Sequence, residues 1–216
     1  MATQMGVRKL IWEDAREWKR IGYLGFNKTE KPVRLGDILR LLWTHVGLRA
    51  TVWYRLSHAA HRSHIPLLPG MIARMNLRRY GLDIVASVPI GPGLYIPHPV
   101  GTVVMAVSIG ARCHLISSVT IGMRTVQAFP RIGDNVTVSA GGRVLGDIYV
   151  GDSATIGANA VVISDVPDGA TMVGAPARPT RAKAQSEAQS EAQSEAAPAL
   201  APDQPYTWEP STQTPD

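Results

Sequence analysis

The sequence predicts a mainly β protein: a parallel β-helix with six-residue sides, preceded by a small α-helical region. Three observations predict it. Apolar residues recur every six positions through the middle of the chain, an upstream stretch carries helical spacing, and a downstream stretch has almost no large apolar side chains. The divisions fall at 1–80, 81–180 and 181–216. With 216 residues, 45% of them hydrophobic, the chain supports one well-cored domain with a small appendage.

In the first region, Ile11–Ile21 and roughly Leu35–His64 read as helices. Leu35, Ile38, Leu39, Leu42, Val46 and Leu56 recur at helical spacing within the second. Pro66 and Pro69 stop it, a short helix Met71–Tyr80 follows, and Gly81 breaks the pattern. In the last region, residues 184–216 begin AQSEAQSEAQSEA and continue Pro-rich. It has too little apolar surface to offset the entropy of ordering, so a disordered tail is expected.

The middle region is the informative one. Ile132, Val138, Val144, Val150, Ile156 and Val162 step by six without a slip. Val103, Ile109, Leu115 and Ile121 keep the same step, as do Ile84, Ile90 and Ile96. Small or short-branched residues follow four positions later, among them Val136, Ala154, Ala160 and Val166. A period of six is neither helical nor a simple alternation. It fits a chain that runs a short strand, turns a corner and repeats, with three sides making a coil of about 18 residues. One coil cannot cover its own core, but a stack of coils can. The register slips by one residue between Ile96 and Val103 and by five between Ile121 and Ile132, placing a loop around Arg124–Pro130. The repeat is expected to end at Pro167 and the Gly174-Ala175-Pro176 turn.

Charge is unevenly distributed. Residues 184–216 carry six acidic groups and no Lys or Arg, so the body holds 22 basic and 11 acidic residues, a net of +11. Such a body favours anionic partners: a phosphorylated cofactor, an acidic membrane surface or nucleic acid. The single cysteine, Cys113, excludes an intrachain disulfide and fits a reducing compartment. The opening MATQMGVRKLIWEDAREWKR has no signal-peptide run, and no window reaches membrane-span length. A cytoplasmic protein is expected.

His98 lies in GLYIPHPVGTVV, two residues past an anchor, where a side chain points outward. Asp83 lies fifteen residues earlier, close to one coil below, where a carboxylate can hold the imidazole tautomer. A rigidified turn histidine between Pro97 and Pro99 accounts for the same residues. His58, His61 and His64 drift around a helix and do not converge on a metal. His114 sits at an outward position sixteen residues after His98, without an evident third ligand. Cys113 occupies a small-residue corner, where packing explains it.

The segments GLDI at 81–84, IGPGLYIPHPVGTVV at 90–104, VTIG at 119–122, IGDNVTVSAGGRVLGDIYVGDSATIGANAVVISDVP at 132–167 and VGAPAR at 173–178 resemble the serine acetyltransferase branch of the hexapeptide acyltransferases. The resemblance implies a left-handed β-helix, a homotrimer with sites between adjacent solenoids, and acetyl-CoA as donor. It implies His98 as catalytic base and Asp83 as its orienting carboxylate. It places the CoA arm against Gly122, Ala140 and Ala158, with Gly174 and Arg178 near its phosphate end. No metal is implied.

Two departures bear on the acceptor. The family's Asp before the catalytic His is Pro97 here, and its Arg-His-Pro at the loop end is Ala128-Phe129-Pro130. With Pro97 and Phe129 in the substrate pocket, the charged ends of serine lose partners. The sequence therefore favours a sugar or glycan hydroxyl as acceptor, with serine as the alternative. A metal-dependent lyase and a non-catalytic trimeric scaffold stay open. No nucleic-acid partner is expected. The helix bearing Trp43, Trp53, Arg40, Arg49 and Arg55 suits a trimer contact, and a weak membrane-surface association stays open beside it.

Overall fold

The computed structural model describes residues 5–22 and 33–180. The predicted tail, 181–216, lies outside them. Four helices come first: α1 (Val7–Ile21), α2 (Leu35–Thr44), α3 (Val46–Arg62) and α4 (Leu68–Tyr80). Thirteen short strands follow. They are β1 (Leu82–Ile84), β2 (Thr102–Val104), β3 (Ser108–Ile109), β4 (His114–Leu115), β5 (Thr120–Gly122), β6 (Arg131–Ile132) and β7 (Thr137–Val138), then β8 (Arg143–Leu145), β9 (Tyr149–Val150), β10 (Thr155–Ile156), β11 (Val161–Val162), β12 (Thr171–Val173) and β13 (Arg178–Pro179). Helices and solenoid belong to one compact unit that ends at Thr180.

The strands stack into the three faces of a parallel β-solenoid, as the period predicts. The first face runs β1-β2-β5-β8-β11, the second β3-β6-β9, and the third β4-β7-β10-β12. Antiparallel β13 closes the third face, so the stack extends past Pro167 to Val173. In the regular part each residue pairs with the one 18 positions on, as Arg131 does with Tyr149 and Thr137 with Thr155. Across the predicted loop the step becomes 23, as for Thr120 with Arg143, which confirms five inserted residues.

Two anchors need correction. The buried apolar residue of β2 is Val104, not Val103. Ile84 pairs with Val104, so the corner after Ile96 holds two residues beyond the period, and one is recovered before Ile109. Val166 bridges Val150 and is itself an anchor, because the last coil is shorter by two residues.

The anchors form one continuous core. Leu115, Ile121, Val138, Val144, Val150 and Ile156 are fully buried within it, each side chain contributing about 1.5–3 kcal/mol. Two of the three corners turn through left-handed residues. Arg112, Asn135 and Ser153 turn the corner between second and third faces; Ser118, Gly141 and Asn159 turn the one between third and first. Asn suits that region, and the others are held there by the stack. At the former corner the carboxylates form a ladder: Ala111 donates to Asp134, the Asp134 N–H to Asp152, and the Asp152 N–H to Asp168. A side chain on Gly133 would collide with Asp152 Oδ1. The recurring Gly-Asp pair is thus one device: glycine makes room for the aspartate of the next coil.

The helices seat the first coils. Asp14 and Arg55 are both fully buried. Arg55 donates two hydrogen bonds to Asp14, at 2.8 and 2.9 Å, and one each to the carbonyls of Ile90 and Gly91. Asp14 Oδ1 also accepts the N–H groups of Gly93 and Leu94. The pair therefore satisfies backbone polar groups of the first coil, beneath which no further coil lies. Burial opposes the Arg55 charge, and Asp14 outweighs it, raising the guanidinium pKa. Tyr54 donates to the Val88 carbonyl, and Trp18 packs on Tyr95.

Helix boundaries differ from the sequence reading. α1 starts four residues earlier, and α4 starts at Leu68. The long second segment is two helices, because His45 is extended (φ −116°, ψ 110°) and packs edge-on against Trp18. Of the expected apolar stripe, Leu35, Leu39, Val46 and Leu56 are exposed, Leu42 is half-buried and Ile38 is buried; Leu41, Leu48 and Tyr54, outside that stripe, are the other buried residues of the inner face. The true inner face includes Arg55, which pattern reading scores as outward. Arg55 is accordingly unavailable to the membrane-facing set in which the sequence placed it.

Gly47 shows how closely α3 approaches the solenoid. A Cβ there would lie 1.9 Å from the Ile96 carbonyl oxygen. Gly47→Ala is expected to cost about 1–3 kcal/mol by forcing the helix off the coil, read as a lower urea midpoint with an unchanged slope. No helix among the described residues is long and apolar enough to cross a membrane.

Candidate active site

His98 stands on the corner that joins the third face to the first. Its N–H donates to the Ile116 carbonyl at 3.3 Å, and it bridges Ser117 one coil on. Gly141 donates to the Ser117 carbonyl and Asn159 to the Ala140 carbonyl. His98, Ser117, Ala140 and Ala158 therefore run up one corner of the stack. His98, Ala140 and Ala158 are exposed, so this edge carries an imidazole at one end and small side chains above it. Such an edge lets an extended ligand lie close to the backbone.

Asp83 is half-buried in β1, with its register partner Val103 in β2. His98 lies in the corner that leads into β2, five residues before Val103, so His98 and Asp83 belong to successive coils without being register partners; the coil step here is 20 residues, not the fifteen that separate them. The two surplus residues fall within this corner. Pro97 and Pro99 stiffen it, Gly101 supplies a left-handed turn, and the Thr102 N–H donates to the Pro99 carbonyl. The outward positions of the first face are Asp83, Val103, Thr120, Arg143 and Val161. Arg143 is exposed and reaches Thr120 Oγ1 at 3.4 Å. The sequence reading missed it, although its place before an anchor marks it as outward on this face.

The remaining predicted residues lie elsewhere. Gly122 ends β5 at the opposite edge of the first face, and the loop 123–130 with half-buried Phe129 leaves from there. Gly174 accepts from Val161, and exposed Arg178 opens β13 at the far end. One chain thus places His98, Ala140 and Ala158 along one edge, and Gly122 and Phe129 along the other.

His114 does not join His98. It lies on the third face, and its Nε2 meets Glu17 of α1 at 2.7 Å. Burial raises the Glu17 pKa, but hydrogen bonds from Arg20 and His114 outweigh it and hold the carboxyl at about 2. Lowering a carboxyl pKa adds stability at neutral pH that is lost as pH falls from about 5 towards 2. Glu17→Gln is therefore expected to cost on the order of 2–3 kcal/mol at pH 7 and little near pH 2, measured by denaturation across that range. Cys113 is buried, and burial pushes its thiol up to about 12. It packs as the sequence suggests and is a poor nucleophile. A cleft of about 880 Å³ lies against the second face, lined by His58, His61, His64, Asp134, Tyr149 and Asp152 among others, and it does not include His98.

No family model matches the chain. Individual proteins do. A serine acetyltransferase of Helicobacter pylori is 37% identical over 142 residues, covering 64% of this chain and 83% of that protein. The chain belongs to the serine acetyltransferase family. A serine acetyltransferase of Synechococcus elongatus is 33% identical over 144 residues, which span 59% of its length. The fold agrees with that of family members: the Neisseria gonorrhoeae serine acetyltransferase superposes with a TM-score of 0.71 at 27% identity, over 81% of this chain and 66% of that one. The soybean apoenzyme gives 0.69 at 29%, over 81% and 69%. A serine acetyltransferase in complex with CoA gives 0.70 at 26%, over 81% and 69%.

Proposed function

We propose that the chain is an acetyl-CoA-dependent serine O-acetyltransferase. The observation that carries the reading is the exposed, proline-flanked corner at His98, in the coil that follows Asp83 and in line with Ala140 and Ala158. His98 takes the proton from the acceptor hydroxyl as its oxygen attacks the thioester carbonyl. The tetrahedral intermediate then collapses, the C–S bond breaks, and the imidazolium returns its proton to the departing thiolate. Asp83 orients His98, and backbone N–H groups of the edge stabilise the oxyanion. Exposed Arg143 and Arg178 suit the phosphates of the donor.

Serine as the acceptor draws on the relatives from Synechococcus elongatus and Helicobacter pylori, both serine acetyltransferases, and on the soybean enzyme, which is similar in fold and determined in complex with serine. They support serine over the sugar hydroxyl that Pro97 and Phe129 favoured on sequence. The split of Gly122 and Phe129 from His98 supports a trimer, in which one solenoid's edge faces the other edge of its neighbour. A second reading, a sugar or glycan hydroxyl, keeps one observation in its favour: Pro97, Ala128 and Phe129 offer no charge to an amino acid's ends. Thiol release from acetyl-CoA, measured with L-serine and with nucleotide- or lipid-linked sugars, separates the two. Turnover on serine is expected; release with a sugar alone would overturn it.

A further inference from the structure

The α3–α4 hairpin presents a surface that neither the core nor the proposed reaction uses. Between Asp37 and Asp83 the sequence holds seven arginines, four histidines and no carboxylate. Arg55 is buried, but Arg62, Arg74, Arg78 and Arg79 are exposed. Large apolar side chains stand among them. Leu67 is 83% exposed and Met71 66%, with Ile65, Met75 and Leu77 also open to solvent. Leu67, Met71, Arg74, Met75 and Arg78 follow helical spacing and line one depression. Leu67 has φ 64° and ψ −34°, a region that bulky residues seldom enter. The turn thus spends backbone strain on holding its most exposed leucine in water.

We propose that α4 and the turn before it dock on an anionic lipid surface. Leu67 and Met71 enter the headgroup–acyl boundary, and Arg74, Arg78 and Arg79 meet lipid phosphates. Charge complementarity selects this occupant. A second copy offers these arginines a body that is itself net basic, with 22 basic and 11 acidic residues over 1–183. The chain's acidic 184–216 segment offers six carboxylates, but its large apolar side chains are few, Leu200, Tyr206 and Trp208, and all lie beyond the AQSE repeats. This face differs from the α2–α3 face that the sequence suggested. Attachment is peripheral, since none of the described helices is long and apolar enough to cross a bilayer.

The test is co-sedimentation of the full chain with phosphatidylcholine vesicles, with and without phosphatidylglycerol, at low and high salt. Binding is expected to the anionic vesicles only and to weaken with salt. Arg74→Glu/Arg78→Glu should lower partitioning about tenfold or more, as should Leu67→Ser/Met71→Ser, both with an unchanged melting curve. Equal binding to neutral vesicles, or no binding to anionic ones, would overturn the proposal. So would wild-type sedimentation of both variants, or an assembly that dissociates in Leu67→Ser/Met71→Ser while vesicle binding persists.

Discussion

Replacing His98 with alanine is expected to lower kcat for acetyl transfer about 10³-fold, with little change in KM for acetyl-CoA. General-base assistance contributes about 10²–10⁴ in such reactions. The exposed corner bears little of the core, so the fold should survive the change. Thiol release at saturating donor measures the rate, and circular dichroism confirms the fold. Asp83→Asn should fall less steeply, because it alters the imidazole's orientation and tautomer while leaving the base in place. A His98→Ala protein with full activity would sink the mechanism. Activity lost together with the melting transition would assign His98 to the fold.

Breaking the buried ion pair between α3 and α1 should give the largest loss of stability. Arg55→Met leaves Asp14 buried and strips hydrogen bonds from the Ile90 and Gly91 carbonyls. Removing one partner of a buried pair typically costs about 3–5 kcal/mol. The expected result is a strongly lowered denaturation midpoint. A double variant, Asp14→Asn with Arg55→Met, should recover part of the loss, because no full charge then remains without its partner. Equal midpoints for Arg55→Met and the parent would show that the helices do not brace the first coil.

Much of the solenoid was legible because its period is a one-dimensional property. Each Ile or Val anchor needs only its equivalent one coil away, so the six-residue step carries the stack. The five-residue loop could be counted for the same reason. The corner at His98 was harder to read. Val103 and Val104 are both apolar, and only pairing with Ile84 selects Val104 as the buried one. The helical region resisted reading for a different cause. Its inner face is defined by contact with the solenoid, and Arg55 and Asp14 satisfy polar groups there that no local pattern announces.

By itself the sequence determined the fold class, the coil length and the loop. These follow from spacing, since backbone pairing between coils converts residue number directly into position. Tertiary structure alone decided that His114 belongs to Glu17 rather than beside His98, and that Arg55 is a buried brace rather than a surface cation. It also decided that Gly122 and Phe129 lie at the opposite edge of the face from His98. Each of these depends on which elements meet across the fold, where packing and the need to satisfy buried polar groups act between residues distant in the chain.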